Sequence, residues 1–74
     1  MNVFPTSDDS FARLHAAGWS VGEVRLLLVG ALLWQVDGTN GENAILARAL
    51  TQAGAWHRAC QQAEAVGMLR RSQP

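Results

Sequence analysis

The dipeptide Asn40-Gly41, set between two alternating apolar runs, constrains this chain more than any other feature. A two-residue type I′ turn needs positive φ at both central positions, and Asn followed by Gly meets that need at least cost, so the pair reads as a β-hairpin tip. With those two residues as the turn, Thr39 faces Glu42, Val36 faces Ile45, Trp34 faces Ala47 and Leu32 faces Ala49. Strand side chains alternate between faces. One face therefore collects Leu32, Trp34, Val36, Ile45, Ala47 and Ala49, and the other Leu33, Gln35, Asp37, Ala44, Leu46 and Arg48. A wholly apolar set opposite a mixed one is the pattern of an antiparallel sheet covered on one side. The competing turn, Asp37-Gly38, leaves the second strand too short to pair.

A third strand over about Glu23 to Leu28 precedes this hairpin. A three-residue loop, Val29-Gly30-Ala31, sets Leu28 opposite Leu32 and Leu26 opposite Trp34. Val24, Leu26 and Leu28 then join the core face and Arg25 stays outside. A Gly30-Ala31 loop would drive Arg25 inward, and an unpaired buried charge is costly. A slip of one residue flips the whole strand. A helical alternative also stands for residues 20–34: Ser20 and Glu23 have capping-box spacing and Val24 to Trp34 could form a buried helix, against which Gly30 and the β-branched flanks weigh.

Helices flank the strands. Thr6 or Ser7 can cap a helix over about Ser7 to Ala17, with Asp8 and Asp9 at the positive end of its dipole and Gly18 as its stop. Thr51 can cap a second helix over Gln52 to Val66, in which Trp56, Ala59, Cys60, Ala63 and Val66 form one apolar stripe. Gly67 ends it, with Met68 placed to fold back. The expected fold is α+β: helix, three-stranded antiparallel meander, helix, with both helices on one sheet face and Trp34 meeting Trp56 in the core. Residues 1–74 make one small domain, and residues 1–5 and 70–74 read as flexible ends.

Composition narrows the function classes. A 74-residue domain is close to the lower limit for a self-sufficient core, and 49% apolar residues is ample for one, a combination that suits oligomerisation. Six arginines balance six acidic residues, so duplex nucleic acid and anionic membranes are poor partners. The apolar run from Leu26 to Trp34 falls far short of the ~20 residues of a membrane span. One cysteine, Cys60, allows no internal disulfide, and residues 1–10 lack the features of a signal peptide, so the cytoplasm is the expected compartment.

No constellation of catalytic, cofactor-binding or metal-ligating residues emerges. His57 and Cys60 are three apart on the last helix, but a nucleophilic dyad also needs an orienting group and an oxyanion hole, and zinc needs further ligands that only His15, Asp8, Asp9 or Glu64 could supply. Gly38-Thr39-Asn40-Gly41 lacks the Lys-Ser/Thr of a phosphate loop. Asp37, Glu42 and Glu64 are the carboxylates that could pair, and Arg48, Arg58, Arg70 and Arg71 a possible basic cluster; solvated surface accounts for both. Leu27, Leu33 and Leu46 stand out instead. In the expected register they share the outer sheet face with Ala44, where three clustered leucines mark a protein-contact surface unless the first helix, or Val3 and Phe4, cover them.

Helix, three antiparallel strands, helix is the topology of the double-stranded-RNA-binding domain, and Thr51 before an alanine-rich helix resembles that domain's last helix. Its basic cluster is here Thr51-Gln52-Ala53-Gly54, so RNA binding is not implied. The strands and final helix also resemble HicB-type antitoxin domains. A fuller likeness covers residues 34–69. Trp34-x-Val36-x-Gly38-x-Asn40-Gly41-Glu42-Asn43-x-Ile45-x-Ala47, then Thr51, Ala55-Trp56, Ala59, Gln62-Ala63 and Gly67-Met68-Leu69, is similar to a group of short planctomycete-type proteins, with Gly54 in place of a usual glutamate. That likeness implies no activity. The expected function is a non-enzymatic interaction module that forms a homodimer or binds another protein, with no cofactor; a nucleic-acid-binding or antitoxin-like regulatory module is the alternative.

Overall fold

The computed structural model describes residues 5–69. The elements are α1 (Ser7–Ala16), β1 (Ser20–Leu28), β2 (Ala31–Asn40), β3 (Asn43–Ala49) and α2 (Gln52–Ala65). Residues 20–34 are strand, turn and strand rather than helix. The ends expected to be flexible lie, Pro5 apart, outside the described residues. The three strands form one antiparallel sheet in the order β1-β2-β3, and both helices pack on the face that carries Val36, Ile45 and Ala47.

The helices begin and end as their sequences dictate. The Thr6 hydroxyl accepts the Asp9 N–H at 3.1 Å, and the Thr51 hydroxyl accepts the Gly54 N–H at 3.0 Å, each satisfying a donor that has no partner within its helix. Gly18 and Gly67 take left-handed φ of 95° and 77°. The residue after each glycine then bonds back: Trp19 N–H to the Leu14 carbonyl, and Met68 N–H to the Ala63 carbonyl, both at 3.0 Å. This is the Schellman arrangement at both helix ends. It turns Trp19 inward, where it is 2% exposed, and its indole N–H donates to the Met68 carbonyl at 2.9 Å. The two helix ends are thereby tied to each other.

Trp19, not Trp34, thus fills the core. Trp34 packs at its rim, and the ring set against Trp56 is Phe11, edge-on with centroids 5.7 Å apart. The stripe of α2 is buried through Trp56, Ala59, Cys60 and Ala63, whereas Val66 caps the helix and stands exposed.

Both hairpins differ in register from the expectation. In the β2–β3 hairpin Asn40 pairs with Asn43 and Val36 with Ala47, so the turn is Gly41-Glu42, displaced by one residue. Positive φ falls there on Gly41 and not on Asn40, the pattern of a II′ turn. Asn40 is engaged elsewhere: its side-chain N–H donates to the Ala17 carbonyl at the end of α1, at 3.1 Å. Moving the turn by one residue moves the pairing by two, which is even, so each residue keeps its expected face.

The β1–β2 hairpin differs by an odd step. Leu28 pairs with Ala31, Arg25 with Trp34 and Glu23 with Val36, around a two-residue turn of Val29 and Gly30. Val21, Glu23, Arg25 and Leu27 therefore share the helix-side face, and Val24, Leu26 and Leu28 the outer one, the reverse of the expectation. A charge on the helix-side face costs little where the helices leave that face open to solvent. Arg25 faces their side yet remains exposed, stacked on the Trp34 ring at 5.0 Å.

The turn carries strain. Val29 has φ 50° and Gly30 φ 76°, the two positive values of a I′ turn, and a β-branched residue there is an outlier. Val29→Asn is expected to raise stability by about 1 kcal/mol, or a Tm increase of roughly 4–8 °C. A thermal melt that shows no gain would mean that Val29 is unstrained.

Candidate functional site: the arm of the β1–β2 hairpin

The three leucines expected to form one patch are divided by the observed register. Leu33 lies on the outer face, directly opposite Leu26, with Val24 and Leu28 beside it. Leu46 is on the same face but opposite Asp37, beyond the Gln35–Arg48 pair. A polar row crosses the sheet at that point. Arg48 Nε donates to Gln35 Oε1 at 2.8 Å, and Gln35 Nε2 to Asp37 Oδ2 at 3.1 Å. Leu27 belongs to the other face, opposite Leu32. The one-residue difference in β1 register is the whole reason.

What takes the place of that patch is an arm. Residues 26–33 read Leu-Leu-Leu-Val-Gly-Ala-Leu-Leu, eight in a row without a polar side chain. They form the far end of the β1–β2 hairpin, past the point where β3 pairs with β2, since Ala49 sits opposite Trp34. Leu27 and Leu32 are uncovered on the helix side, Leu28 on the outer side, and Val29 at the tip is fully exposed; Leu27 reaches 73%. An ordinary antiparallel sheet has one apolar face and one polar face. Here both faces and the turn are apolar and in solvent.

The base of the arm is held by charge. Glu23 accepts hydrogen bonds from Trp56 Nε1 at 2.7 Å and from Gln52 Nε2 at 3.0 Å, which fastens β1 to α2. Arg25 covers the Trp34 ring, a cation–π contact. One carboxylate and one guanidinium thus stand two positions apart on the helix-side face of β1, at an edge of the sheet.

The two edges of the sheet are treated differently. Leu46 on β3 has its N–H accepted by Gln62 Oε1 at 2.9 Å and its carbonyl bonded by Gln62 Nε2 at 2.7 Å. The amide of Gln62 therefore stands where a further strand would pair, which closes that edge. Along β1 seven of nine residues are exposed, so the opposite edge stays open. Beside its start, Phe11, His15, Trp19 and Val21 line an open groove of about 590 Å³ between α1 and β1.

The other residues singled out by the sequence do not converge. Cys60 is buried and donates its thiol to the Ser10 carbonyl at 3.7 Å. Desolvation pushes the Cys60 thiol up from its ordinary pKa, so the nucleophilic thiolate is disfavoured. His57 is half-buried at the edge of the α2 stripe. Glu64 pairs with Arg13 at 3.2 Å across the two helices, not with another carboxylate. Glu42 sits in the β2–β3 turn. Arg48 is bonded to Gln35 on the outer face and Arg58 lies exposed on α2, while Arg70 and Arg71 lie outside the described residues. Among the described residues no three His, Cys, Asp or Glu side chains group to hold a metal, and no helix is long and apolar enough to cross a membrane.

The sequence does show the arm, as the uninterrupted apolar run 26–33. What hides it is the assumption that an apolar strand must be a covered one. Comparisons with protein-family models, with curated proteins and with solved structures found no match to this chain.

Proposed function

We propose that this chain is a non-enzymatic protein-interaction module whose binding element is the β1–β2 arm with the adjoining outer sheet face. The supporting observation is that the arm presents apolar side chains on both faces and at its tip. Fully burying one such Leu or Val is worth about 1.5–3 kcal/mol, so a partner that covers several gains ample driving force.

A polypeptide partner fits the arm better than lipid does. Residues 31–33 of β2 have no β3 neighbour and β1 is an edge strand. In hydrocarbon each unpaired backbone group would cost several kcal/mol, whereas another chain can supply the missing hydrogen bonds.

The test pairs Leu27→Asp with Val29→Asp in one variant. Both side chains are in solvent in the single chain, and Asp tolerates positive φ better than Val, so the variant is expected to stay folded, with the Tm of the unassociated chain held or raised. Association, read by sedimentation equilibrium for the chain alone and by cross-linking in cell extract for other proteins, is expected to weaken at least tenfold. If wild type and variant behave alike in both measurements, the arm is not a binding element.

A further inference from the structure

Resting on that reading, we infer that the partner is a second copy of this chain, joined antiparallel through the open edge of β1 about a two-fold axis at Val24. Four features of β1 and its surroundings select this occupant and this register.

Charge comes first. Antiparallel pairing about Val24 places Glu23 of one copy opposite Arg25 of the other, and Arg25 opposite Glu23, on the same face. Opposite charges in directly facing positions stabilise a strand pair, and like charges destabilise it. A shift by two residues in either direction sets Glu23 against Glu23 or Arg25 against Arg25. The charge pattern therefore specifies one register among those that keep the faces matched.

Shape agrees with it. In this register Leu27, 73% exposed in the single chain, lies opposite Val21 of the other copy. Val21 lines the groove together with Phe11 and Trp19. The arm that extends past its own helices is thus covered by α1 of its neighbour. On the outer face Leu26 lies opposite Gly22, where there is open space around the glycine. The edges also agree: β3 is closed by Gln62, which leaves β1 as the edge able to extend the sheet. The product is one six-stranded sheet with all four helices on the same side, a closed, isologous pair.

The two-fold axis gives a direct test. Residues facing each other across antiparallel strands have Cα atoms ~4.5–5.5 Å apart, within disulfide range. Val24→Cys therefore faces its own copy. Leu26→Cys faces Gly22 and lies ~13 Å along the strand from its counterpart, out of range. Each variant is oxidised with glutathione disulfide in the native buffer and run on a non-reducing gel, with sedimentation equilibrium of the wild type beside it. The expected result is a wild-type mass of twice 8.0 kDa, near-complete cross-linking of Val24→Cys and at least tenfold less for Leu26→Cys. Equal cross-linking of the two variants, or none in a wild-type dimer, overturns the β1 pairing and leaves the arm as an interface of another geometry. A wild type that stays monomeric while the arm variant loses capture of a different protein overturns the second copy as occupant and leaves the interaction reading standing.

Discussion

Trp19→Ala is expected to remove about 3–5 kcal/mol of stability. A domain of 74 residues has roughly 4–11 kcal/mol in total at the usual 0.05–0.15 kcal/mol per residue, so the variant keeps little of it, and its Tm falls by about 15 °C or more. Trp19 is 2% exposed and belongs to the same core cluster as Leu14, Val36 and Ala59, so its loss opens a cavity bordered by α1, α2 and the sheet. Trp19→Phe separates volume from hydrogen bonding. Phenylalanine keeps most of the apolar bulk but leaves the Met68 carbonyl, now 2.9 Å from the indole nitrogen, without its donor, for a loss of about 1–3 kcal/mol. Urea denaturation of the three proteins orders them wild type, Phe, Ala. If Ala costs under about 1.5 kcal/mol, Trp19 is not at the centre of the core. If Phe is as damaging as Ala, the tie between the two helix ends outweighs the packing.

What could be read from the sequence, and what could not, follows from parity and from tertiary bonds. Helix caps are local, so Thr6, Thr51, Gly18 and Gly67 announced their elements by residue type and spacing, and the structure places them in those roles. The inner and outer sets of β2 and β3 were legible because alternation survives an even displacement. The register itself was not: the turn lies one residue further on, and Asn40 instead bonds to the Ala17 carbonyl, a contact between residues far apart in the chain. In β1 the displacement was odd. An inward-facing Arg25 is costly only where that face is covered along the full strand, and Arg25 is exposed. No rule of turn chemistry would place Val29 at positive φ. The expected register thus puts Leu27 on the face of Leu33 and Leu46, and the observed one puts it on the other. Trp19 sits between α1 and β1 and belongs to no periodic stripe, so neither helical nor strand spacing could mark it as core. The arm was visible as a run of apolar residues, but its exposure depends on where β3 and the helices stop.

Gly38→Ala is expected to cost about 2–3 kcal/mol, with a sign opposite to the usual effect of this substitution in a strand, where Ala is favoured over Gly by roughly 0.5–1 kcal/mol. Gly38 sits between Val21 of β1 and Ile45 of β3. Its backbone is extended and needs no positive φ, so the obstacle is space. A Cβ there would run into the Val21 side chain and stand 2.6 Å from the Ser20 carbonyl oxygen. A side chain can turn away, but that carbonyl cannot yield unless β1 moves off β2. Ser20 directly follows Trp19, so the displacement is passed to the indole that ties the helix ends. Gly22→Ala is the control: it lies in the same strand pair, opposite Asp37, and a Cβ there meets nothing within 4 Å, so it is expected to be neutral or slightly stabilising. Thermal melts should separate the two by roughly 10–20 °C, and in Gly38→Ala the amides of residues 20–22 should exchange with solvent faster than those of β3. Equal melting of the two variants would mean that β1 does not lie against β2 as closely as the Gly38 contacts require. The β1 edge, the groove beside Val21 and the placement of Glu23 and Arg25 all depend on that close approach. A glycine with ordinary backbone angles thereby sets the position of the surface through which a second copy would pair.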